Sequence, residues 1–264
     1  MKKYLVIGNP INHSLSPQIH NYWLKENHIN ATYDKLNIEN NEIKSLIADI
    51  KQKKIAGCNV TVPFKKAVIP YLDKLSLEAE QTQSVNTIVL KDNILFGHNT
   101  DIRGFTRAIE NLNFDIKNKK IFILGAGGVV PSIIFALNKM EVSEIIISNR
   151  TKQKAENLRK LFTSLKVIDW GKIPEFDVVI NATSLGLNKE IINLDFSNVG
   201  NGKLFYDVIY NPGETNFLKS GKKLGNKTEN GKLMFVYQAF ESFKLWHGLE
   251  PKINNEILKL LDND

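Results

Sequence analysis

Several polar stretches in the first part of the chain gather side chains that could act together on one small ligand. Gly57-Cys58-Asn59-Val60-Thr61-Val62-Pro63-Phe64-Lys65 ends an apolar run, Asn86-Thr87 opens another, and Gly97-His98-Asn99-Thr100-Asp101 closes a hairpin pattern. Asn59 and Thr61 alternate, so on a strand they point to one side, with Lys65 following in the loop or first helical turn. A lysine can donate a proton and an aspartate can orient it, while amides and hydroxyls suit a polyhydroxylated ligand. A lone lysine after a strand is usually solvated surface. A lysine, an aspartate and several amides at the strand ends of one parallel sheet more often share a crevice. Ser14 and Ser16, in Gly8-Asn9-Pro10-Ile11-Asn12-His13-Ser14-Leu15-Ser16-Pro17, stand just before a helix start and suit a carboxylate. Taken alone, a helix cap plus a turn serine explains those two equally well.

The middle of the chain carries a second kind of chemistry. Ile121-Phe122-Ile123-Leu124 runs into Gly125-Ala126-Gly127-Gly128-Val129, and Glu144-Ile145-Ile146-Ile147-Ser148 ends in Asn149-Arg150-Thr151. A strand, a glycine turn, a helix and a second strand form a unit that holds a dinucleotide. Gly125 permits the turn, and Gly127 lets backbone approach a pyrophosphate at the helix start. Arg150 stands where an acidic residue would meet a ribose 2′-hydroxyl, with Lys154 about one turn further on. Cations there suit a 2′-phosphate, so NADP is expected rather than NAD.

The elements that must position these groups alternate along the chain. Strands are expected at Tyr4–Gly8, Thr32–Ile38 and Ile55–Val62, and as a hairpin at Asn86–Lys91 and Ile94–Gly97 turning at Asp92-Asn93. Helices are expected from Pro17, over Asn41–Lys53, around Phe64–Leu72 and Ser76–Thr82, and from Asp101. Beyond the glycine unit come a helix at Lys152–Phe162, strands at Asp177–Asn181 and Leu204–Val208, and a helix near Thr215–Leu224. Helices near Gly231–His247 and Asn254–Leu261 close the chain. This alternation predicts a two-domain α/β protein. Its N-terminal substrate domain, 1–101, has a mainly parallel sheet and is completed by the helices of 231–264. A Rossmann-type dinucleotide domain fills 102–230, and the active site is expected in the cleft between the two.

Composition agrees with an ordinary folded chain. Of 264 residues, 42% are hydrophobic, and 35 Lys and Arg against 28 Asp and Glu give a formal charge of +7. The cations are scattered rather than gathered on one run, which argues against nucleic acid. Cys58 is the only cysteine, and no apolar stretch approaches membrane-spanning length, so a cytosolic protein is expected. His13, His20, His28, His98 and His247 lack metal-ligand spacing, and no metal is expected.

From Val6 to about Gly248 the chain resembles the shikimate dehydrogenase family. Its motifs stand here as Gly8-x-Pro10-x-x-His13-Ser14-x-Ser16-Pro17, Asn59-Val60-Thr61-Val62-Pro63-x-Lys65, Val85-Asn86-Thr87 and Gly97-x-Asn99-Thr100-Asp101-x-x-Gly104. They continue as Gly125-Ala126-Gly127-Gly128, Asn149-Arg150-Thr151, Asn181-Ala182-Thr183-Ser184-x-Gly186, Asp207-x-x-Tyr210-x-Pro212 and Gly231-x-x-Met234-x-x-x-Gln238. The glycine turn alone would be weak evidence; so many ordered matches are not.

The resemblance implies reversible, NADPH-dependent reduction of 3-dehydroshikimate to shikimate in aromatic amino-acid biosynthesis. It gives Lys65 the catalytic role, with Asp101 beside it. Ser14, Ser16 and Tyr210 correspond to groups that bind the substrate carboxylate, and Thr61, Asn86, Asp101 and Gln238 to those around the ring hydroxyls. Gly125, Ala126, Gly127, Gly128 and Val129 correspond to the pyrophosphate site. Asn149, Arg150, Thr151 and Lys154 correspond to the adenosine 2′-phosphate site, and Thr183, Val208 and Gly231 to the nicotinamide half. The family includes monomers and dimers. Three positions depart from its pattern: Val130 with Pro131 at the third glycine position, Gln83-Ser84 before Val85, and Lys232 in the C-terminal helix. Two other readings remain open, a quinate/shikimate dehydrogenase of broader substrate or NAD use and a non-catalytic NADP-binding sensor. A sensor needs neither Lys65 nor Asp101.

Overall fold

A computed structural model describes residues 1–188 and 190–262. The chain forms two compact units, one of residues 1–104 joined by the C-terminal segment from Val236, the other Phe105–Phe235. The divisions fall a few residues beyond the expected 101 and 230, because each lies inside a helix rather than in a linker.

The first unit holds strands β1 (Lys2–Gly8), β2 (Ala31–Asn37), β3 (Gly57–Val60), β4 (Lys74–Leu75), β5 (Thr87–Lys91) and β6 (Ile94–His98). Its helices are α1 (Ser16–Glu26), α2 (Ile43–Lys51), α3 (Leu77–Thr82) and the start of α4 (Asp101–Glu110). The sheet order is β2-β1-β3-β5-β6-β4. β1 lies parallel to β2 and β3, and β4 to β6, whereas β5 is antiparallel to both β3 and β6. The hairpin turns where expected, with Asp92 and Asn93 both at positive φ, the geometry that matches strand twist. Leu5, Ile7, Val60, Ile88 and Leu95 pack one sheet face against Leu46, Ile47 and Ile50 of α2.

The expected helix over Phe64–Leu72 does not form. The segment is a run of turns ending in a single 3₁₀ turn at Ile69–Tyr71. Pro70 has no N–H to give the carbonyl of Lys66, so an α-helix cannot pass through it. Lys65 therefore sits in a turn.

The second unit is built from β7 (Lys120–Leu124), β8 (Glu144–Ser148), β9 (Lys166–Ile168), β10 (Val178–Asn181), β11 (Leu204–Asp207) and β12 (Lys227–Glu229). Helices α5 (Val130–Lys139), α6 (Lys152–Leu161) and α7 (Asn216–Lys223) connect them. All neighbours in the order β12-β11-β10-β7-β8-β9 are parallel. That is the doubly wound order, with its reversal between β7 and β10, where such sheets bind ligands at their C-terminal ends. The central strands are buried along both faces, which explains their unbroken apolar runs. The chain closes with α8 (Lys232–His247) and α9 (Asn255–Leu260), the latter capped by Asn254 on the N–H of Ile257.

One buried group in the first unit carries a stability prediction. His20 is 1% exposed, and among the described residues neither ring nitrogen has a hydrogen-bond partner. It stacks on Tyr33 at 4.2 Å within a cage of Trp23, Phe243 and Trp246. Burial, and secondarily the charge of His247, lowers its pKa to about 3. The folded chain holds it neutral while the unfolded chain protonates below about pH 6.5. Its contribution is complete above that pH and is lost as pH falls toward 3. Urea unfolding at pH 7.5 and pH 5 is expected to show a stability loss smaller by about 2 kcal/mol in His20→Phe than in the parent. Identical losses would show that the ring is not held neutral.

Candidate active site

The polar strand ends of the first unit converge on one ion pair. Lys65 Nζ lies 2.6 Å from Asp101 Oδ2, with the two residues 8% and 5% exposed. Lys65 comes from the turn after β3, and Asp101 is the first residue of α4, where a carboxylate is favoured by the helix dipole. Asn86, just before β5, donates from Nδ2 to Asp101 Oδ1 at 3.0 Å and to Thr100 Oγ1 at 2.8 Å. Its Oδ1 accepts from the Thr100 N–H at 2.8 Å, so the amide cannot turn over without losing partners. Both Asp101 oxygens are thus engaged, and the lysine is aimed by them. Buried pairs of this kind are weak stabilisers but strongly resist loss of one partner.

Behind the pair lies a second layer in which Asn59 and Thr87, noted from the sequence, meet Ser242, which was not. Asn59 Nδ2 donates within 3.0 Å to Asn86 O, Thr87 Oγ1 and Ser242 Oγ, and Asn59 Oδ1 accepts from Tyr33 at 2.7 Å. Ser242 Oγ also meets Thr87 at 2.8 Å and Thr100 at 3.1 Å, and donates to the carbonyl of Gln238. Ser242 thereby ties α8, the helix of Gln238, to the strand ends of Asn86 and Asp101. Its signal in sequence was its place four residues after Gln238, on the same helix face.

Ser14 and Ser16 do not cap α1. The N-cap is Leu15, with no side-chain cap bond, and Ser16 opens the helix itself. Ser14 Oγ accepts from the Ser16 N–H at 3.3 Å, and the two hydroxyls lie 3.2 Å apart. Neither serine is the N-cap, but Ser14 is the expected turn serine, taking the first N–H of the helix, and the two adjacent hydroxyls suit an anion there. Thr61 is half-buried just past β3, and Gln238 is half-buried on α8.

The second unit carries the other expected cluster. Gly125, directly after β7, has φ +105°, and a Cβ there would fall 2.7 Å from the carbonyl oxygen of Ala182. Ala126 and Val129 are half-buried, while Gly127 and Gly128 are exposed. The helix that follows starts at Val130 with no side-chain cap, and the Val130 and Ser132 N–H groups turn back on the carbonyls of Gly127 and Val129 at 3.1 Å. Val130 is fully buried, and Pro131 lies in the first turn, where its missing N–H is harmless. Past β8, Asn149 closes its own turn by donating to the carbonyl of Thr151 at 2.8 Å, and Thr151 precedes α6. Arg150 and Lys154 are exposed, and among the described residues no carboxylate pairs with either. Lys152 between them is instead paired to Asp169 at 2.7 Å.

Thr183, Val208 and Gly231 stand on turns after β10, after β11 and before α8. Thr183 donates through its N–H and its hydroxyl to Asn181 Oδ1, at 3.1 and 2.7 Å. The Val208 N–H donates to Asn181 O at 3.0 Å. A Cβ on Gly231 would overlap the Val208 carbonyl oxygen at 2.1 Å, so only glycine fits there. Tyr210 is half-buried and stacks on Phe235, with centroids 4.4 Å apart. Among the described residues no group of three or more His, Cys, Asp or Glu could hold a metal, and no helix is long and apolar enough to cross a membrane.

A parallel, doubly wound sheet with a glycine turn after its first strand and, among the described residues, unpaired cations past its second is the architecture of dinucleotide-binding α/β proteins. Comparison with known proteins narrows the class. Residues 6–88 match the shikimate dehydrogenase substrate binding domain, and 107–195 match shikimate / quinate 5-dehydrogenase. Shikimate dehydrogenase (NADP(+)) of Pelagibacter ubique is 54% identical over 262 residues, covering 99% of each chain. Shikimate 5-dehydrogenase of Thermus thermophilus, solved with NADP(H) and shikimate, aligns with TM-score 0.88 at 30% identity, over 99% of this chain and 97% of that one. The Listeria monocytogenes shikimate 5-dehydrogenase, solved with shikimate and NAD, aligns with TM-score 0.90 at 30% identity, over 99% and 96%. The chain belongs to the shikimate dehydrogenase family.

Proposed function

We propose that Lys65 and Asp101 carry out the proton transfer in the NADPH-dependent, reversible reduction of 3-dehydroshikimate to shikimate. The chain is an oxidoreductase that takes NADP and a small cyclic acid. Bound nicotinamide supplies or accepts the hydride. The residues of the chain do the rest. As the ketone gains hydride, charge grows on its oxygen, and the Lys65 ammonium stabilises that charge and gives up a proton. In the reverse direction the neutral amine takes the proton back. Asp101, fixed by Asn86, keeps the lysine aimed and accepts from a ring hydroxyl. Thr61 and Gln238 add donors and acceptors around the ring, and Ser14, Ser16 and Tyr210 hold the carboxylate. The observation that carries this reading is the buried Lys65–Asp101 pair at 2.6 Å, held by Asn86 at 3.0 Å.

Gly125 to Val129 and the start of α5 receive the pyrophosphate, Asn149 to Thr151 and Lys154 the 2′-phosphate, and Thr183, Val208 and Gly231 the nicotinamide half. The test is turnover of 3-dehydroshikimate with NADPH and NADH, and of shikimate and quinate with NADP. Fast oxidation of NADPH, with NADH and quinate much poorer, is expected. Absence of turnover despite NADPH binding would return the chain to a non-catalytic sensor. Ser14→Ala and Tyr210→Phe are expected to raise the KM for shikimate while sparing cofactor affinity. An analogue without the carboxylate should be nearly indifferent to both changes; equal discrimination against it would overturn the assignment.

A further inference from the structure

Asp207 is fully buried at the end of β11, and the hydride chemistry makes no use of it. Its carboxylate is built into two turns at once. Oδ1 accepts from the Ile209 N–H and from Asn181 Nδ2, each at 3.0 Å, and Oδ2 accepts from the Thr215 hydroxyl at 2.6 Å. Each partner passes the constraint on. Asn181 holds the N–H and hydroxyl of Thr183 and donates to the carbonyl of Leu185. The carbonyl of Ile209 accepts from the Gly231 N–H at 3.0 Å. Thr215 caps α7 on the N–H of Leu218. Thr183, Val208, Tyr210 and Gly231 therefore all lie on backbone anchored to this one side chain or to a group it holds.

We infer that Asp207 is a positioning residue that locks the turn of Thr183 and the turn of Val208 and Tyr210 in one register. It thereby sets the nicotinamide half of the cofactor site and the carboxylate contact of the substrate together. The inference rests on the roles proposed above for those residues. Two carboxylate oxygens are needed because three donors converge on them. An amide would keep one acceptor and turn its NH₂ toward Thr215, leaving that hydroxyl without its strongest acceptor.

Burial raises the Asp207 pKa to about 6, against hydrogen bonds from Thr215, Ile209 and Asn181 that lower it, and its ionisable neighbour is Tyr206. A raised value means that ionisation is less favourable in the folded chain than in the unfolded one, so above pH 6 the charge costs stability. Asparagine removes that cost.

The experiment compares Asp207→Asn, Thr215→Val and Thr215→Ser with the parent at pH 8. It measures thermal midpoint, KM for shikimate, and calorimetric Kd for NADP and for adenosine 2′,5′-bisphosphate. The bisphosphate reads only the Asn149–Lys154 end, which Asp207 does not touch. Asp207→Asn and Thr215→Val are expected to weaken shikimate and NADP by about 10- to 100-fold, the scale of a displaced site, with the bisphosphate unchanged. Thr215→Ser, which keeps the hydroxyl, is expected to restore parent constants, and Asp207→Asn to melt no lower than the parent. Folded variants with parent constants would overturn the inference. So would equal weakening of the bisphosphate, or collapse of both Asp207→Asn and Thr215→Val, each of which makes the residue structural. Failure of the parent to oxidise shikimate would sink the functional reading instead, while the comparison of NADP with the bisphosphate would still decide on Asp207.

Discussion

Lys65→Met is expected to lower kcat by ~10²–10⁴-fold, the usual worth of a positioned general acid or base, while the KM for shikimate moves modestly. The Lys65 ammonium is the one group at the ion pair that can both stabilise the developing alkoxide and pass a proton, so its loss strikes the transition state harder than the ground state. Methionine keeps the length and apolar packing of the lysine stem, which separates loss of the ammonium from collapse of the pocket. It also leaves Asp101 buried without its cation, since the two lie 2.6 Å apart at 8% and 5% exposure. Breaking such a pair costs about 3–5 kcal/mol, so thermal unfolding must accompany the kinetics. The double variant Lys65→Met with Asp101→Asn removes the stranded charge, and is expected to recover stability but not turnover. Near-normal kcat in a folded Lys65→Met enzyme would remove Lys65 from proton transfer and leave it a binding residue.

How much of this was legible depended on how local each signal was. β7, β8, β10 and β11 were plain because strands buried on both faces must be apolar throughout, and the turn at Gly125 announces itself through glycine. β4, β9 and β12 were missed because each spans only two or three residues, too few for a periodicity to show. The helix expected at Phe64–Leu72 failed on a local rule given too little weight, the proline at position 70. Strand direction was the harder matter. Nothing local to Thr87–Lys91 says that it runs antiparallel to β3, since that follows from the hairpin folding back into the gap between β3 and β6.

The site divides the same way. Lys65, Asp101 and Asn86 could be named because their types and strand-end positions point to chemistry. Their fixing could not, because Asn59 meets Ser242 across 183 residues of chain, and in the second unit the turn of Thr183 depends in the same way on Asn181 meeting Asp207 across 26. A serine inside a largely apolar helix and an aspartate closing an apolar strand look unremarkable until the fold brings their partners to them. Ser14 and Ser16 lay in between: their types allowed both a cap and an anion site, and the structure puts the α1 N-cap at Leu15 with Ser14 accepting from the Ser16 N–H.

Arg150→Ala is expected to weaken NADPH by roughly 10- to 150-fold and leave NADH nearly unchanged, since only NADPH carries the 2′-phosphate. That range corresponds to about 1.5–3 kcal/mol, the worth of charge-assisted hydrogen bonds from one cation to a phosphate. The geometry singles out Arg150 among the cations around it. Lys152 is drawn away to Asp169, which also meets Lys172 at 3.7 Å, so a phosphate would compete with a carboxylate for it. Arg150 and Lys154 have no such partner among the described residues, and neither loses an ion pair on meeting a ligand. Arg150 stands two residues past β8, as the planar donor fork suited to a phosphate, whereas Lys154 adds a compact charge from the first turn of α6. Lys154→Ala should therefore cost less than Arg150→Ala. The double variant should cost less than the sum of the two, because both act on one phosphate. The measurement is kcat/KM for NADPH and NADH in all four proteins at fixed ionic strength, since exposed charges are screened by salt. Equal loss toward both cofactors would show that Arg150 supports the fold of the turn rather than reading the 2′-phosphate.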